Sequence, residues 1–189
     1  MKSLVIALLV SVCSLSAAAQ SPSAVLKQAE KALGGKAFKN VTSVRSTGTI
    51  KRLSDGATGK YVARSARPNL LNVRFDIAGF ETETGYNGRS AWRRDSRDGV
   101  VTLTGRDSVT AQAEAVFRNS LWFAAKNEKA KITTGGTATV DGKPANAVVY
   151  TTQKGVAIKL YFDQATGLLI REEIPRGEKI EVQIGRAHV

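Results

Sequence analysis

Two pairs of carboxylates are the residues of this chain with the best spacing for acid–base chemistry. Glu81 and Glu83 are two apart in an alternating segment and so share one strand face, whereas the neighbours Glu172 and Glu173 fall on opposite faces. A working acid and base need surroundings that drive their pKa values apart. Both pairs instead occupy polar strand positions near arginines, which reads as the solvated side of a sheet. Other reactive types are scarce. The chain has one cysteine, Cys13, and one histidine, His188, each in a terminal segment. Serine–histidine catalysis and soft-metal ligation are therefore excluded for the body of the chain. No Asp-rich loop of the calcium type occurs, and Gly34-Gly35 and Gly135-Gly136 lack a phosphate-loop frame. No catalytic residue, metal site or cofactor is expected. The chemistry points to binding.

The termini read as processing signals and not as fold. Lys2 precedes a mostly apolar run from Leu4 to Val12, and Ala17-Ala18-Ala19 supplies small residues before Gln20. This is the pattern of a secretory leader over residues 1–19, cut after Ala19, with too short an apolar core for a membrane span of roughly 20 residues. Lipid attachment at Cys13 is the rival, but Val12 stands where a small residue is expected. The last six residues, Ile184 to Val189, match the translation of a common sequencing adapter. The natural chain is then expected to continue past Gln183, with residues 20–183 forming one domain.

Lys and Arg number 28 against 16 Asp and Glu, a net charge of +12. Such a balance suits an anionic membrane surface or an envelope protein partner. The basic residues are scattered and form no run, so a simply solvated surface is the preferred explanation. A secretory route argues against nucleic acid. Hydrophobic residues make up 42% of the chain, enough for an apolar core without disulfides. A monomer is expected.

The elements follow from period and punctuation. Ser21-Pro22 opens a helix in which Val25, Leu26, Ala29, Ala32 and Leu33 form one stripe, ended by Gly34-Gly35. The period then becomes two. Leu71, Val73, Phe75 and Ile77 alternate with Asn72, Arg74 and Asp76, which puts the apolar set on a covered face and Arg74 outside. Asn87-Gly88 signals a two-residue hairpin leading into a strand from Arg89 to Arg94. A second helix runs from Asp107 to about Phe123, with Val109, Ala113, Val116, Phe117, Ser120 and Leu121 on one face. Alternation resumes from Lys131 onward. The expected fold is mainly β with two helices: about ten short antiparallel strands whose apolar face the helices cover only in part. The space between is either core or a ligand cavity, and Trp92 and Trp122 suit both.

Arg67-Pro68-Asn69-Leu70-Leu71-Asn72, followed after a strand pair by Tyr86-Asn87-Gly88-Arg89-Ser90-Ala91-Trp92, resembles the LolA family of periplasmic lipoprotein carriers. There an Arg-Pro-Asn strand start and an Asp-Gly-Lys-x-x-Trp hairpin occur in the same order. Tyr161 to Leu169 is similar to endings in the wider superfamily of outer-membrane lipoprotein-sorting proteins. The resemblance spans about Ala24 to Ile174. It implies a curved antiparallel sheet, an incomplete barrel, with a helical lid over an apolar cavity for acyl chains of a lipoprotein or lipid. By position, Arg67 is the arginine that fastens and switches the lid. Leu71, Val73 and Phe75 are the cavity wall, and Trp92 is the tryptophan after the hairpin. Val116, Phe117 and Leu121, from the apolar face of the second helix, are expected to line the same cavity. Arg93 and Arg94 depart from the family, where aromatics follow the tryptophan. Two readings stay open: a periplasmic carrier for acylated cargo, or a non-transporting interaction or sensor domain of the same shape.

Overall fold

The computed structural model describes residues 20–52, 54–120, 129–176 and 179–183. The expected leader, Leu121, Trp122 and the last six residues lie outside the described residues.

Helix α1 (Pro22–Ala32) starts and stops where the sequence punctuates it. The Ser21 hydroxyl accepts the Ala24 amide at 3.3 Å, and Pro22 fills a position that needs no donor. At the far end the Gly35 amide donates to the Glu30 carbonyl and the Gly34 amide to that of Lys31. This paired arrangement requires a left-handed residue after the cap, and Gly34 supplies it at φ 93°. A single turn, α2 (Lys36–Lys39), then follows that the sequence reading did not contain. Four residues carry no visible period, and tertiary contacts hold this turn. Lys39 Nζ pairs with Glu30 at 2.5 Å, and Arg67 donates to the Lys39 carbonyl at 2.7 Å.

The strands β1 (Ser43–Lys51), β2 (Thr58–Ala66), β3 (Leu70–Ile77), β4 (Phe80–Asn87), β5 (Ala91–Asp95) and β6 (Gly99–Thr102) form an antiparallel meander in chain order. Helix α3 (Gly105–Ser120) follows. A second antiparallel sheet has the order β11-β10-β9-β8-β7, from β7 (Lys131–Val140), β8 (Lys143–Thr151), β9 (Ala157–Asp163), β10 (Leu169–Arg176) and β11 (Lys179–Gln183). The fold is mainly β with helices laid on antiparallel sheets that do not close into a barrel. The expected single sheet is divided in two, because α3 interrupts the meander and the strands flanking it, β6 and β7, join different sheets.

One turn differs from expectation. The hairpin at Asn87-Gly88 does have a two-residue loop, but it is Gly88-Arg89, one residue later than expected: Tyr86 pairs with Ala91, the Asn87 amide donates to the Ser90 carbonyl at 3.2 Å, Gly88 takes φ 91°, and β5 begins at Ala91. The Asn87 carboxamide oxygen accepts the Arg89 and Ser90 amides at 3.0 and 2.9 Å. Those two residues are thereby held out of the strand.

Register fixes which side chains share a face. In the first sheet Ala63, Leu71, Val73, Tyr86 and Ala91 lie together with Ala111 and Ala115 of α3. We call this the inner face. The second sheet buries Val148, Tyr150, Ile158, Leu160, Phe162 and Ile174 beneath Val25 and Ala29 of α1 and Phe117 of α3. Helix α3 thus packs on both sheets, with alanines toward the first and Phe117 toward the second. Each large apolar side chain so enclosed contributes about 1.5–3 kcal/mol of burial free energy.

Candidate functional site

The inner face of the first sheet has a covered end and a half-open end. At the covered end Leu71 and Val73 are 4% and 1% exposed, close to Ala111 and Ala115. The small alanine side chains let the helix lie near the sheet. At the other end of the same strands the apolar residues outrun the cover. Register carries Ile50, Phe75, Ile77 and Phe80 onto the inner face beyond the α3 alanines. Ile50, Phe75 and Ile77 are half-buried, and Phe80 is 42% exposed. Tyr61, also half-buried, joins the covered cluster to this patch. The expected alternation therefore holds: Leu71, Val73, Phe75 and Ile77 face the helix side, and Arg74 stands outside, ion-paired with Glu81.

A buried ionic cluster ties α3 to the second sheet. Arg118 Nε donates to Glu114 at 2.9 Å and Arg118 Nη2 to Glu172 at 2.6 Å. Glu114 is 1% and Glu172 6% exposed. Burial opposes the Arg118 charge, but the facing carboxylates of Glu172 and Glu114 outweigh it and hold the guanidinium pKa well above its ordinary value. The reading of Glu172 as part of a solvated side is corrected here. It shares the inner parity of Ile174 and sits under α3, whereas Glu173 lies on the opposite face with Tyr161 and Arg171. The signal was available in Glu114 and Arg118, four apart on a helix, and in the shared parity of Glu172 and Ile174.

Arg67 sits in the β2–β3 turn, before Pro68 with a cis peptide bond. Its guanidinium donates to the last carbonyl region of α2, and its amide donates to Thr42 at 3.0 Å. A cation at a helix C-terminus satisfies an orphan carbonyl and the helix dipole together. Arg67 so couples the N-terminal helical segment to the first sheet.

Not all the residues expected to line one cavity meet there. Trp92 pairs with Gly85, which pairs with Asn72, and this row lies on the outer face, opposite Leu71 and Val73. A Cβ on Gly85 would come within 2.4 Å of the indole, so the ring lies across the glycine. The error is one of parity. Tyr86 pairs with Ala91 on the inner face, so Trp92 falls with Gly85 on the outer one. Phe117 packs edge-on against Tyr150 of the second sheet, with ring centroids 5.6 Å apart. Val116 is half-buried, and Leu121 lies outside the described residues.

The outer face carries a polar ladder: Arg64 donates to Asn72, Asn72 to Glu83, and Arg94 to Glu83 and Glu81. Burial pushes the Glu83 carboxyl up, but the Asn72 and Arg94 hydrogen bonds prevail and hold its pKa below the usual carboxylate range. These contacts make Glu81 and Glu83 ion-pairing groups of a sheet surface. No group of three or more His, Cys, Asp or Glu that could hold a metal ion occurs among the described residues. No described helix is long and apolar enough to cross a membrane.

No family model and no curated protein sequence matches the chain. Solved structures match it in fold. A DUF1329 family protein from Desulfovibrio piger is 13% identical over 84% of this chain and 75% of that one, with a TM-score of 0.44. A LolA superfamily protein from Nitrosomonas europaea is 14% identical, covering 86% and 75%, with a TM-score of 0.42. An outer membrane lipoprotein-sorting protein domain from Vibrio parahaemolyticus is 10% identical, covering 83% and 74%, with a TM-score of 0.44.

Proposed function

We propose that the protein is a periplasmic binding and carrier protein that holds the acyl chains of a lipoprotein or lipid on the inner face of its first sheet. The observation that carries this reading is the half-open apolar patch of Ile50, Phe75, Ile77 and Phe80, continuous through Tyr61 with the covered core. An acyl chain loses about 0.8 kcal/mol for each CH₂ exposed to water. A half-covered apolar face recovers part of that cost and needs no catalytic group. The leader-like N-terminus supports export, and the motif order around Arg67 and Trp92 supports a LolA-like role.

Arg67 is the natural control point in this reading. Its bond to the Lys39 carbonyl is the contact whose release would free α2 from the first sheet.

The test is equilibrium binding of a fluorescent fatty acid to the mature protein. Saturable binding that weakens in Ile77→Glu, at a half-buried and therefore tolerant position, is the expected result. If no acyl probe binds, the carrier reading fails and a non-transporting interaction domain of the same shape takes its place.

A further inference from the structure

On the outer face, at the end of β1–β3, the surface is hollowed by a depression of about 370 Å³. Ser43, Arg45, Arg64, Ala66, Leu70 and Asn72 line it and share, by register, the face opposite Val73. The remaining wall residues, Val44, Ser65 and Leu71, lie between them on each strand. No residue of α3 is in the wall, although α3 covers Leu71 on the other side. The depression is thus separate from the acyl patch.

Arg45 and Arg64 stand directly opposite each other on β1 and β2. Side chains so paired have Cβ atoms about 4.5–5.5 Å apart, and like charges in that position destabilise a sheet. Elsewhere on this face arginines are neutralised: Arg74 by Glu81, and Arg94 by Glu81 and Glu83. Neither Arg45 nor Arg64 has an ion-pair partner among the described residues. Arg64 instead donates to the Asn72 carboxamide oxygen at 3.3 Å, and Asn72 is held in turn by donating to Glu83 at 2.7 Å. That chain orients one guanidinium and leaves most of its five donors unused. Beside the two cations the same face carries an apolar side chain, Leu70, which is 42% exposed.

We propose that this depression binds a phosphate ester, with the charged group between Arg45 and Arg64 and its organic portion against Leu70. Guanidinium forks match phosphate geometry bidentately. A bound anion would convert a repulsive cross-strand pair into a favourable one. The volume suits a small phosphorylated group and exceeds that of a bare ion. The same chemistry is offered by free phosphate and by an anionic lipid headgroup.

The test compares the mature protein with an Arg45→Gln/Arg64→Gln double variant and with an Arg89→Gln/Arg97→Gln control of equal charge, from exposed loops. Binding to phosphatidylglycerol–phosphatidylcholine vesicles is measured by sedimentation, and inorganic phosphate is tested by thermal shift. Each arginine near an anionic surface contributes about fivefold in affinity, so the pocket variant is expected to lose roughly 30-fold and the control much less. Loss of vesicle binding without a phosphate-induced shift in the parent identifies a headgroup. A phosphate-induced shift present in the parent and absent in the variant identifies the free anion. Equal losses in both double variants, or no loss in the pocket variant, overturn the proposal. Misfolding does not obscure the result, since removing the repulsive pair is expected to leave Tm equal or higher. Acyl binding is expected to be unchanged, so failure here is distinguishable from failure of the carrier reading.

Discussion

Replacing Phe75 by Glu separates a ligand surface from a packed core. Phe75 is half-buried on the inner face, against Val73 and Tyr61 on one side and the open patch on the other. If an acyl chain lies on this patch, the substitution removes ring contact worth about 1.5–3 kcal/mol when fully realised. It also sets a carboxylate beneath hydrocarbon, which adds about 1–3 kcal/mol. Contact with only part of the ring lowers the first figure, so a total of about 2–4 kcal/mol is reasonable. That corresponds to a loss of about 30- to 1000-fold in affinity. The folded protein is less affected because the new carboxylate reaches water when no ligand is present. A stability loss of about 1–2 kcal/mol lowers Tm by roughly 2–8 °C for a chain of this size. The assay is fluorescent fatty-acid titration beside a circular-dichroism melt, with Arg74→Gln on the outer face as control. Acyl binding equal to the parent in a folded Phe75→Glu protein would refute the placement of the ligand on this face.

Other consequences test the fold and its electrostatics. Arg118→Leu removes the cation between buried Glu114 and Glu172, and is expected to cost about 3–5 kcal/mol, readable as a drop in Tm of roughly 6–20 °C; a drop under about 2 °C would mean that the cluster is not a tie between α3 and β10. Asp163 is 7% exposed and accepts the Thr166 and Ala165 amides and the Thr166 hydroxyl; the Thr166 amide is the leading cause that holds its pKa below the ordinary value. A depressed carboxyl stabilises the fold fully above its unfolded pKa of about 3.9 and ceases to do so as pH falls through the lower folded value. Urea melts of the parent should therefore lose stability below about pH 4, with a shallower acid dependence in Asp163→Asn. Gly85→Ala forces the indole of Trp92 off the strand, so in a Trp122→Phe background its fluorescence should shift to the red; an unchanged emission maximum would place the ring elsewhere.

Local chemistry was readable in the residue order because it acts over short chain distances. Ser21-Pro22 and Gly34-Gly35 set the limits of α1 through caps that need only neighbouring residues. The alternation from Leu71 to Ile77 assigned its two faces because side chains in a strand have a period of two. Three features depended on contacts distant in sequence. The single turn of α2 is held by Arg67, and the division into two sheets depends on α3 packing on both. The ionic cluster joins Glu114 and Arg118 to Glu172, more than fifty residues on. Trp92 illustrates the limit most clearly: its place on the cavity wall was what the family resemblance implied, whereas the pairing of Tyr86 with Ala91 and of Gly85 with Trp92 puts the indole on the outer face. Residue order determined which positions alternate. Tertiary structure decided which side of the sheet each register presents, because only the packed helix distinguishes one face from the other.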